Sequence, residues 1–143
     1  MASPIQTKMI LCDHAVADPS GKVHMLGAGW SVTGTPTAPQ AVAVLIKIPW
    51  DRANQKILMK LELSDADGHP VSIDTARGLQ VVEAGAVFEV GRPAGMAPGS
   101  MIDASFALNI PPMPLPPGRY QWRLTVGDHE EFESFEVRRR PPS

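Results

Sequence analysis

The clearest fold signal in the sequence is the stretch RYQWRLTVGD, residues 119–128. Large apolar side chains alternate here with polar ones, so a β-strand would bury one set and expose the other to water. Gly127-Asp128 is a two-residue connection of the kind that joins the strands of a tight hairpin. The segment 129–137 is therefore predicted to return antiparallel to the first strand. The predicted buried set is Tyr120, Trp122, Leu124 and Val126.

The returning segment contains two features that a regular strand does not explain. Phe132 and Phe135 lie three residues apart and cannot share one face of a strand. This spacing indicates a β-bulge, or one aromatic side chain left partly exposed at the edge of a sheet. The acidic pair Glu130-Glu131 near the hairpin is predicted to lie on a solvated surface.

The same period-two pattern recurs in short segments separated by turn residues along the whole chain. Such spacing is typical of antiparallel strands in a sandwich or a barrel. The interior set is bulky and apolar, and no segment has the polar lumen face of a large barrel, which favours a two-sheet sandwich. We predict eight or nine strands in a single domain, 1–143, with a short basic, Pro-containing tail at 138–143. The predicted strands fall at 5–15, 22–33, 42–48, 59–63, 70–76, 79–90, 102–110, 119–126 and 129–137.

The segment after Asp51 is open to two interpretations. Ile57 and Leu61 have helical spacing, yet apolar residues also occupy every second position from Met59 onward. An Asp-Gly turn at 65–68 follows, and it suits a hairpin better than the end of a helix. We therefore favour a short helical turn after Asp51, followed by a strand.

Composition and charge exclude several classes of function. The chain of 143 residues contains 15 Pro and 12 Gly, which leaves little room for long helices. The net charge is −2 and the only dense basic run is 138–140, so the broad positive face that nucleic acid or an anionic membrane requires is missing. The apolar stretch at 9–12 is too short for a signal-peptide core or a membrane span. One cysteine cannot form an internal disulfide, and together these features predict a cytoplasmic protein.

Cys12-Asp13-His14 is the first place in the sequence where chemistry is expected. In one extended strand Cys12 and His14 would share a face at a separation of about 7 Å, which suits a metal site or a thiolate–imidazole pair. There is no second cysteine, and the other histidines lie in separate segments. A buried thiol beside a strand-end histidine is therefore the favoured interpretation.

Other chemical motifs are incomplete. Asp65-x-Asp67-Gly68 resembles the opening of a calcium loop but lacks the later ligands, so a turn is predicted there. Neither a nucleophile elbow nor a phosphate-binding glycine loop occurs. We predict no catalytic residue, no metal and no cofactor.

Two connections have compositions typical of contact surfaces. Residues 49–54 place a Trp at the end of an apolar strand, followed by an Asp that is positioned to cap a helical turn and by an Arg. Residues 91–101 form a Pro- and Gly-rich connection that carries an Arg and an adaptable Met. Trp and Arg dominate binding hot spots; the alternative is that the Trp only covers one end of the sandwich with the neighbouring Arg against it. The candidate partner-contact residues are Trp50, Asp51, Arg52, Arg92 and Met96.

These observations favour a non-catalytic protein-interaction or structural module. Its partner is expected to be a protein, with a second copy of the chain as one candidate, because sandwiches have edge strands that need covering. No nucleic acid or membrane partner is expected. The alternative is a small-ligand-binding protein or minor enzyme with a pocket at one end of the sandwich. The candidate pocket residues for that alternative are Asp13, His14, Trp50 and Arg52.

Four segments occur together in a recognisable order. They are LCDHA (11–15) leading to GKVHMLGAGW (21–30), IPWD (48–51), VGRP (90–93) and LPPGRY (115–120). In this order they resemble a family of small bacterial proteins, many of them actinobacterial, catalogued as a domain of unknown function. The likeness covers nearly the whole chain and implies a single cytoplasmic domain, but no activity or site residue. The closing Pro-Gly-x-Tyr strand pair also resembles the end of many immunoglobulin-like sandwiches, so an immunoglobulin-like fold is expected.

Overall fold

The computed structural model describes residues 3–139 and shows an all-β protein, as predicted. These residues form four sheets, none of them closed, and one short 3₁₀ turn. The segment after the turn is a strand rather than a helix, also as predicted. The strands are β1 Gln6–Cys12, β2 His14–Ala17, β3 Val23–Leu26, β4 Val32–Thr33, β5 Gln40–Ile48, β6 Ile57–Asp65, β7 Ser72–Thr75, β8 Gly78–Val81, β9 Glu83–Phe88, β10 Ile102–Ile110, β11 Gly118–Val126 and β12 His129–Val137; the 3₁₀ turn, η1, is Trp50–Arg52.

Two larger sheets contain the main core. One has the strand order β1-β5-β10 and the other has the order β4-β12-β11-β6-β9. Buried side chains from both sheets pack into one cluster. The alternation predicted for 119–126 is confirmed in β11. A two-residue turn at Gly127-Asp128 leads from β11 into β12, as predicted. The buried residues of β11 are Tyr120, Trp122, Leu124 and Val126.

The strand count is twelve rather than eight or nine, because three predicted strands are each divided in two. The segment 5–15 breaks at Asp13, 22–33 breaks at 27–31, and 79–90 breaks at Val82. Three of the divided strands, β2, β3 and β8, lie in two separate two-stranded ribbons, β2–β3 and β7–β8. Apolar residues lie on both sides of each break, so the hydrophobic pattern does not show where the chain turns.

The β2–β3 hairpin covers the outer face of the three-stranded sheet. Cys12, Ala15, Ala41 and Ala43 are buried there in a second cluster. The small side chains of Ala41 and Ala43 let the hairpin approach β5 closely. Strand β5 is therefore buried on both faces in the middle of its sheet.

One strand pair is parallel, which corrects the prediction of a purely antiparallel fold. Strand β4 lies beside the end of β12 with Val32 opposite Glu136. The Arg138 N–H donates to the Thr33 carbonyl at 2.9 Å, so the start of the predicted basic tail extends this pairing. The chain crosses from the β2–β3 ribbon to the other sheet before β4 and arrives in the same direction as β12. Residues 140–143 of the tail lie outside the described residues.

Strand β12 has no bulge. Its pairing with β11 is continuous, so each residue has one partner. Phe135 is buried, while Phe132 lies on the opposite face and is 48% exposed. The second of the two predicted alternatives, a partly exposed aromatic side chain, is confirmed.

Glu131 joins the two larger sheets along one side, which corrects its assignment to a solvated surface. Its Oε2 accepts the Met9 N–H at 2.7 Å, and its Oε1 accepts the Thr7 hydroxyl at 2.5 Å. The Nε2 of His129 lies 2.9 Å from the same hydroxyl oxygen. Because β1 is an edge strand, the carboxylate satisfies a backbone donor that no neighbouring strand reaches. We call this set of contacts the Glu131 clasp.

Removal of the clasp is expected to weaken the fold. Glu131→Ala leaves the partly buried Met9 N–H without its acceptor, and we expect the free energy of unfolding to fall by about 1–2 kcal/mol. Denaturant-induced unfolding measures this change. Glu133→Ala is the matched control, because Glu133 lies on the same strand, is exposed, and its side chain forms no hydrogen bond with the described residues. Equal stability of the two variants would contradict the role given to Glu131.

Candidate functional site

The turn η1 places Trp50 at one end of the molecule, directly after β5. Pro49 precedes the turn in an extended conformation, with φ −63° and ψ 150°. The Arg52 N–H donates to the Pro49 carbonyl at 2.9 Å, and the Ala53 N–H donates to the Trp50 carbonyl at 3.3 Å. The predicted helical turn is therefore present and begins two residues earlier, at Trp50.

Arg92 lies on the Trp50 ring. Its Cζ is 4.4 Å from the ring centroid, which is the geometry of a cation–π contact. Its Nη2 and Nε also donate to the Trp50 carbonyl, at 2.8 and 3.3 Å. The Asn54 N–H donates to the Val90 carbonyl at 2.7 Å and ties the two connections together. Two predicted contact residues that are 42 positions apart are thus brought together.

Arg52 has a different partner from the one expected. Its Nη1 lies 2.8 Å from Asp128 Oδ1 in the turn between β11 and β12, and it makes no ring contact with Trp50. The hydrogen bond from Arg52 lowers the pKa of the Asp128 carboxyl. Arg52 therefore ties η1 to the hairpin, and Arg92 takes the place on Trp50 that the sequence suggested for Arg52.

Asp51 does not cap the turn, because it lies inside η1 and Pro49 holds the capping position. Its Oδ2 instead accepts the backbone N–H of Ser3 at 3.0 Å and the Ser3 hydroxyl at 3.3 Å. Met96 packs half-buried against the main core, so it is less accessible than expected. Among the residues 3–139, Asp51 forms no ion pair and neither does Arg92, although both are exposed.

The four residues of the alternative pocket do not converge. Asp13 and His14 lie next to the start of β5, since Cys12 is opposite Ala41. Trp50 and Arg52 follow the other end of that nine-residue strand. The length of β5 separates the two pairs by about 25 Å.

Cys12 and His14 are also separated from each other. Cys12 is fully buried, and its Sγ donates to the Ala41 carbonyl at 3.6 Å. Burial raises the pKa of its thiol, and the nearby Asp13 carboxylate adds to the rise. His14 is exposed. The two side chains do not share a face, because the chain bends at Asp13 between β1 and β2.

A family comparison covers almost all of this architecture. The model of a family described as a family of unknown function, DUF6941, matches residues 8–137. The chain belongs to this family. The matched part includes the Trp50–Arg92 pair and all of the Glu131 clasp except Thr7, which lies just before it. Membership of a family of unknown function, which the resemblance implied, is confirmed. No curated protein matches the chain.

The DUF6941 chain has one group of side chains that could hold a metal ion within its described part. Ligand atoms of Asp65, Asp67 and His69 lie within 4.8 Å of one another. Asp65 Oδ1 already accepts the backbone N–H groups of Asp67 and His69, both at 2.9 Å. These contacts make the turn that the sequence predicted, and we assign no metal to it.

A hollow of about 500 Å³ lies on the outer face of the three-stranded sheet. Its polar side chains include Lys8, Lys22, Lys47 and Asp103, all exposed, and Lys47 pairs with Asp103 at 2.7 Å. It contains no buried polar group. For these reasons we interpret the hollow as a solvated surface and not as a ligand-binding site. None of the described helical residues forms a span long and apolar enough to cross a membrane.

Two further cavities lie on the side opposite the Glu131 clasp, between β9 and β10. Neither was predicted from the sequence. Their volumes are about 290 and 180 Å³, and both are lined by Ala84 and Leu108. The buried Trp122 lines the larger one. The run Ala84-Gly85-Ala86 is the sequence signal for this space, because small side chains on an edge strand leave a gap.

Burial of Cys12 predicts low reactivity. Iodoacetamide is expected to alkylate the native protein more slowly than the guanidinium-unfolded chain by a factor on the order of one hundred or more, because the thiol must be exposed first. Mass spectrometry of timed samples measures both rates at a single site. Similar rates in the two states would contradict the buried position.

The raised pKa of Cys12 also sets a pH dependence. The folded state keeps the thiol proton to higher pH than the unfolded state, so this stabilisation is complete below the unfolded thiol pKa of about 8.5 and declines as pH rises above it. The free energy of unfolding between pH 8 and 10 should therefore fall more steeply in the wild type than in Cys12→Ala.

Proposed function

We propose that this protein is a non-catalytic interaction module that contacts a partner protein through its Trp50–Arg92 end. The stacked pair carries the proposal: exposed Arg92 is held on the Trp50 ring and has no acidic partner among the described residues. Trp and Arg are the residues that most often dominate interface energetics. A guanidinium already fixed by stacking and by two hydrogen bonds loses less conformational freedom on binding than a mobile one.

The same end supports a second copy of the chain as the partner. Arg92 and Asp51 are exposed, carry opposite charges and form no ion pair within the described part of the chain. A two-fold contact places each opposite its counterpart on the other copy, and isologous surfaces are self-complementary in this way. Leu58 and Val87 are exposed cross-strand neighbours on β6 and β9 at this end and supply apolar area.

The positions and contacts of the residues considered for catalysis support the non-catalytic part of the proposal. Cys12 is buried with a raised thiol pKa, and His14 lies apart from it in solvent. The hydroxyl of Thr7, which neighbours His129, donates to Glu131. Since that carboxylate also holds the edge of β1, these three residues form a contact between sheets.

An immunoglobulin-like sandwich of the two larger sheets is part of the proposal. The shared core supports it, and so does the Tyr120 hydroxyl, which donates to the Pro116 carbonyl at 2.6 Å. A tyrosine near the start of a late strand that bonds to backbone a few residues upstream is a feature of this fold class. We also propose a cytoplasmic location, supported by the single, free, buried cysteine; recovery in an extracytoplasmic fraction of the native cell would contradict it.

Light scattering coupled to size exclusion tests self-association through this end. The mass is expected to rise from monomer toward dimer as concentration increases from roughly 1 to several hundred micromolar. Arg92→Asp and Asp51→Arg each place like charges opposite one another and should weaken association at least about tenfold. The double variant restores opposite charges and should associate as the wild type does.

Two controls make the result specific. Trp50→Ala removes the stacking platform and should also weaken association, whereas Arg77→Asp, in the exposed β7–β8 turn, should not. A strict monomer at several hundred micromolar would overturn the choice of partner. Failure of the double variant to recover association would overturn the Arg92–Asp51 contact.

A further inference from the structure

The two larger sheets are joined on one side and open on the other. The Glu131 clasp connects β1 to β12. Strands β10 and β9 are the opposite edges of the same two sheets. Phe88 and Phe106 meet edge to face between them at a centroid distance of 5.1 Å, near the Trp50 end. Toward the other end of β10 the two cavities described above are neighbours that share Ala84 and Leu108 in their linings, and we call them together the β9–β10 cleft.

The walls of the cleft are mostly apolar. The β7–β8 ribbon contributes one wall, the end of β10 and the Pro-rich segment after it contribute another, and β9 contributes a third as the edge of the five-stranded sheet. The ribbon is fixed to the five-stranded sheet at Leu63 of β6, whose N–H donates to the Val82 carbonyl at 3.1 Å and whose carbonyl accepts the Val71 N–H at 3.0 Å. Lining residues that define the larger cavity include Ile73, Val81, Ala84, Leu108, Met113 and Trp122.

Trp122, one of the lining residues, contains a buried polar group without a hydrogen-bond partner among the described residues. Its side chain is 2% exposed, and its Nε1–H has no acceptor among the described residues. The contrast with Trp30 is informative, because the Trp30 Nε1–H donates to the Cys12 carbonyl at 3.0 Å. A buried indole N–H normally finds a partner. An acceptor brought by a ligand would satisfy the Trp122 donor.

A second unsatisfied side chain lies at the same end of the core. Gln40 is also 2% exposed, and neither its Oε1 nor its Nε2 has a partner within the described residues. It lies opposite Ile110, which lines the cleft. Unsatisfied polar atoms are thus concentrated at this end of the core.

The charge of the lining residues determines which ligand charge the cleft could accommodate. Glu83 is the one ionisable side chain that lines the larger cavity, and it lies 3.6 Å from Lys60. An anion would be repelled by Glu83 and would meet no lining cation. A cation would have to compete with Lys60. The cavity volume is at the low end for ligand sites, which favours a small molecule.

We propose that the β9–β10 cleft binds a small, uncharged, largely apolar molecule whose carbonyl oxygen accepts the Trp122 Nε1–H. This site is independent of the contact surface at Trp50. The ketone, amide or ester oxygen completes the indole hydrogen bond, and the apolar remainder fills the space beside Ala84 and Leu108.

A matched pair of probes tests the proposal by NMR. Acetophenone and ethylbenzene have similar size, but only acetophenone has a carbonyl. Each is titrated into the ¹⁵N-labelled full chain while the three indole N–H resonances are followed, with the Trp122 resonance assigned by its loss in Trp122→Phe. Acetophenone is expected to shift this resonance saturably and downfield, and to bind about tenfold tighter than ethylbenzene, as one hydrogen bond predicts.

Variants separate the hydrogen bond from the cavity. Trp122→Phe removes the indole N–H while keeping an aromatic side chain, and should reduce the acetophenone preference to about equal affinity. Ala84→Leu fills the cleft at a half-buried position and should abolish saturable binding with the Trp30 and Trp50 resonances retained. Ala66→Leu, in an exposed turn, should bind as the wild type does.

Three results would overturn the proposal. The first is no saturable shift of the Trp122 resonance with acetophenone. The second is equal affinity for the two probes in the wild type. The third is binding that moves backbone amides along β9 while the Trp122 indole stays unchanged, which would assign the edge to an extended peptide instead.

Discussion

The carboxylate of Glu131 is the contact on which the arrangement of the two larger sheets depends. Strand β1 is an edge strand, so its outward N–H groups have no neighbouring strand to bond. Glu131 accepts hydrogen bonds from the Met9 N–H and the Thr7 hydroxyl. Its carboxylate therefore takes the place of the backbone acceptors that a neighbouring strand would supply. The contact also fixes the separation of the sheets on this side. On the opposite side the small residues 84–86 leave a gap between β9 and β10.

This asymmetry separates two surfaces of different chemistry. The Trp50 end presents charged groups, with Arg92 stacked on the ring and an exposed Asp51 carboxylate that accepts the Ser3 N–H and forms no ion pair within residues 3–139. The cleft is apolar, with one buried indole donor at Trp122. A macromolecular partner suits the first and a small neutral molecule suits the second. Because the surfaces share no residue, each proposal stands or fails without the other.

Local patterns were enough to predict which segments are extended, but not where three of them divide or which contacts join them. The alternation through Trp122 and the two-residue turn at Gly127 depend on neighbours in sequence, and both are confirmed. The position of Arg92 on Trp50 depends on how a connection 42 residues away folds back, so the nearer Arg52 was the natural choice. Glu131 was predicted to be solvated for the same reason. Its partners on β1 are more than 120 positions away.

Amide hydrogen exchange at Met9 measures the central claim most directly. Its N–H donates to the Glu131 carboxylate rather than to a strand, so any protection reports this one contact. The account predicts exchange slowed to the level of the paired amides of β5, and slowed far more than the outer-edge amides of β9. Exchange at Met9 as fast as in an unstructured peptide would show that the sheets are not held together there, and would contradict the account.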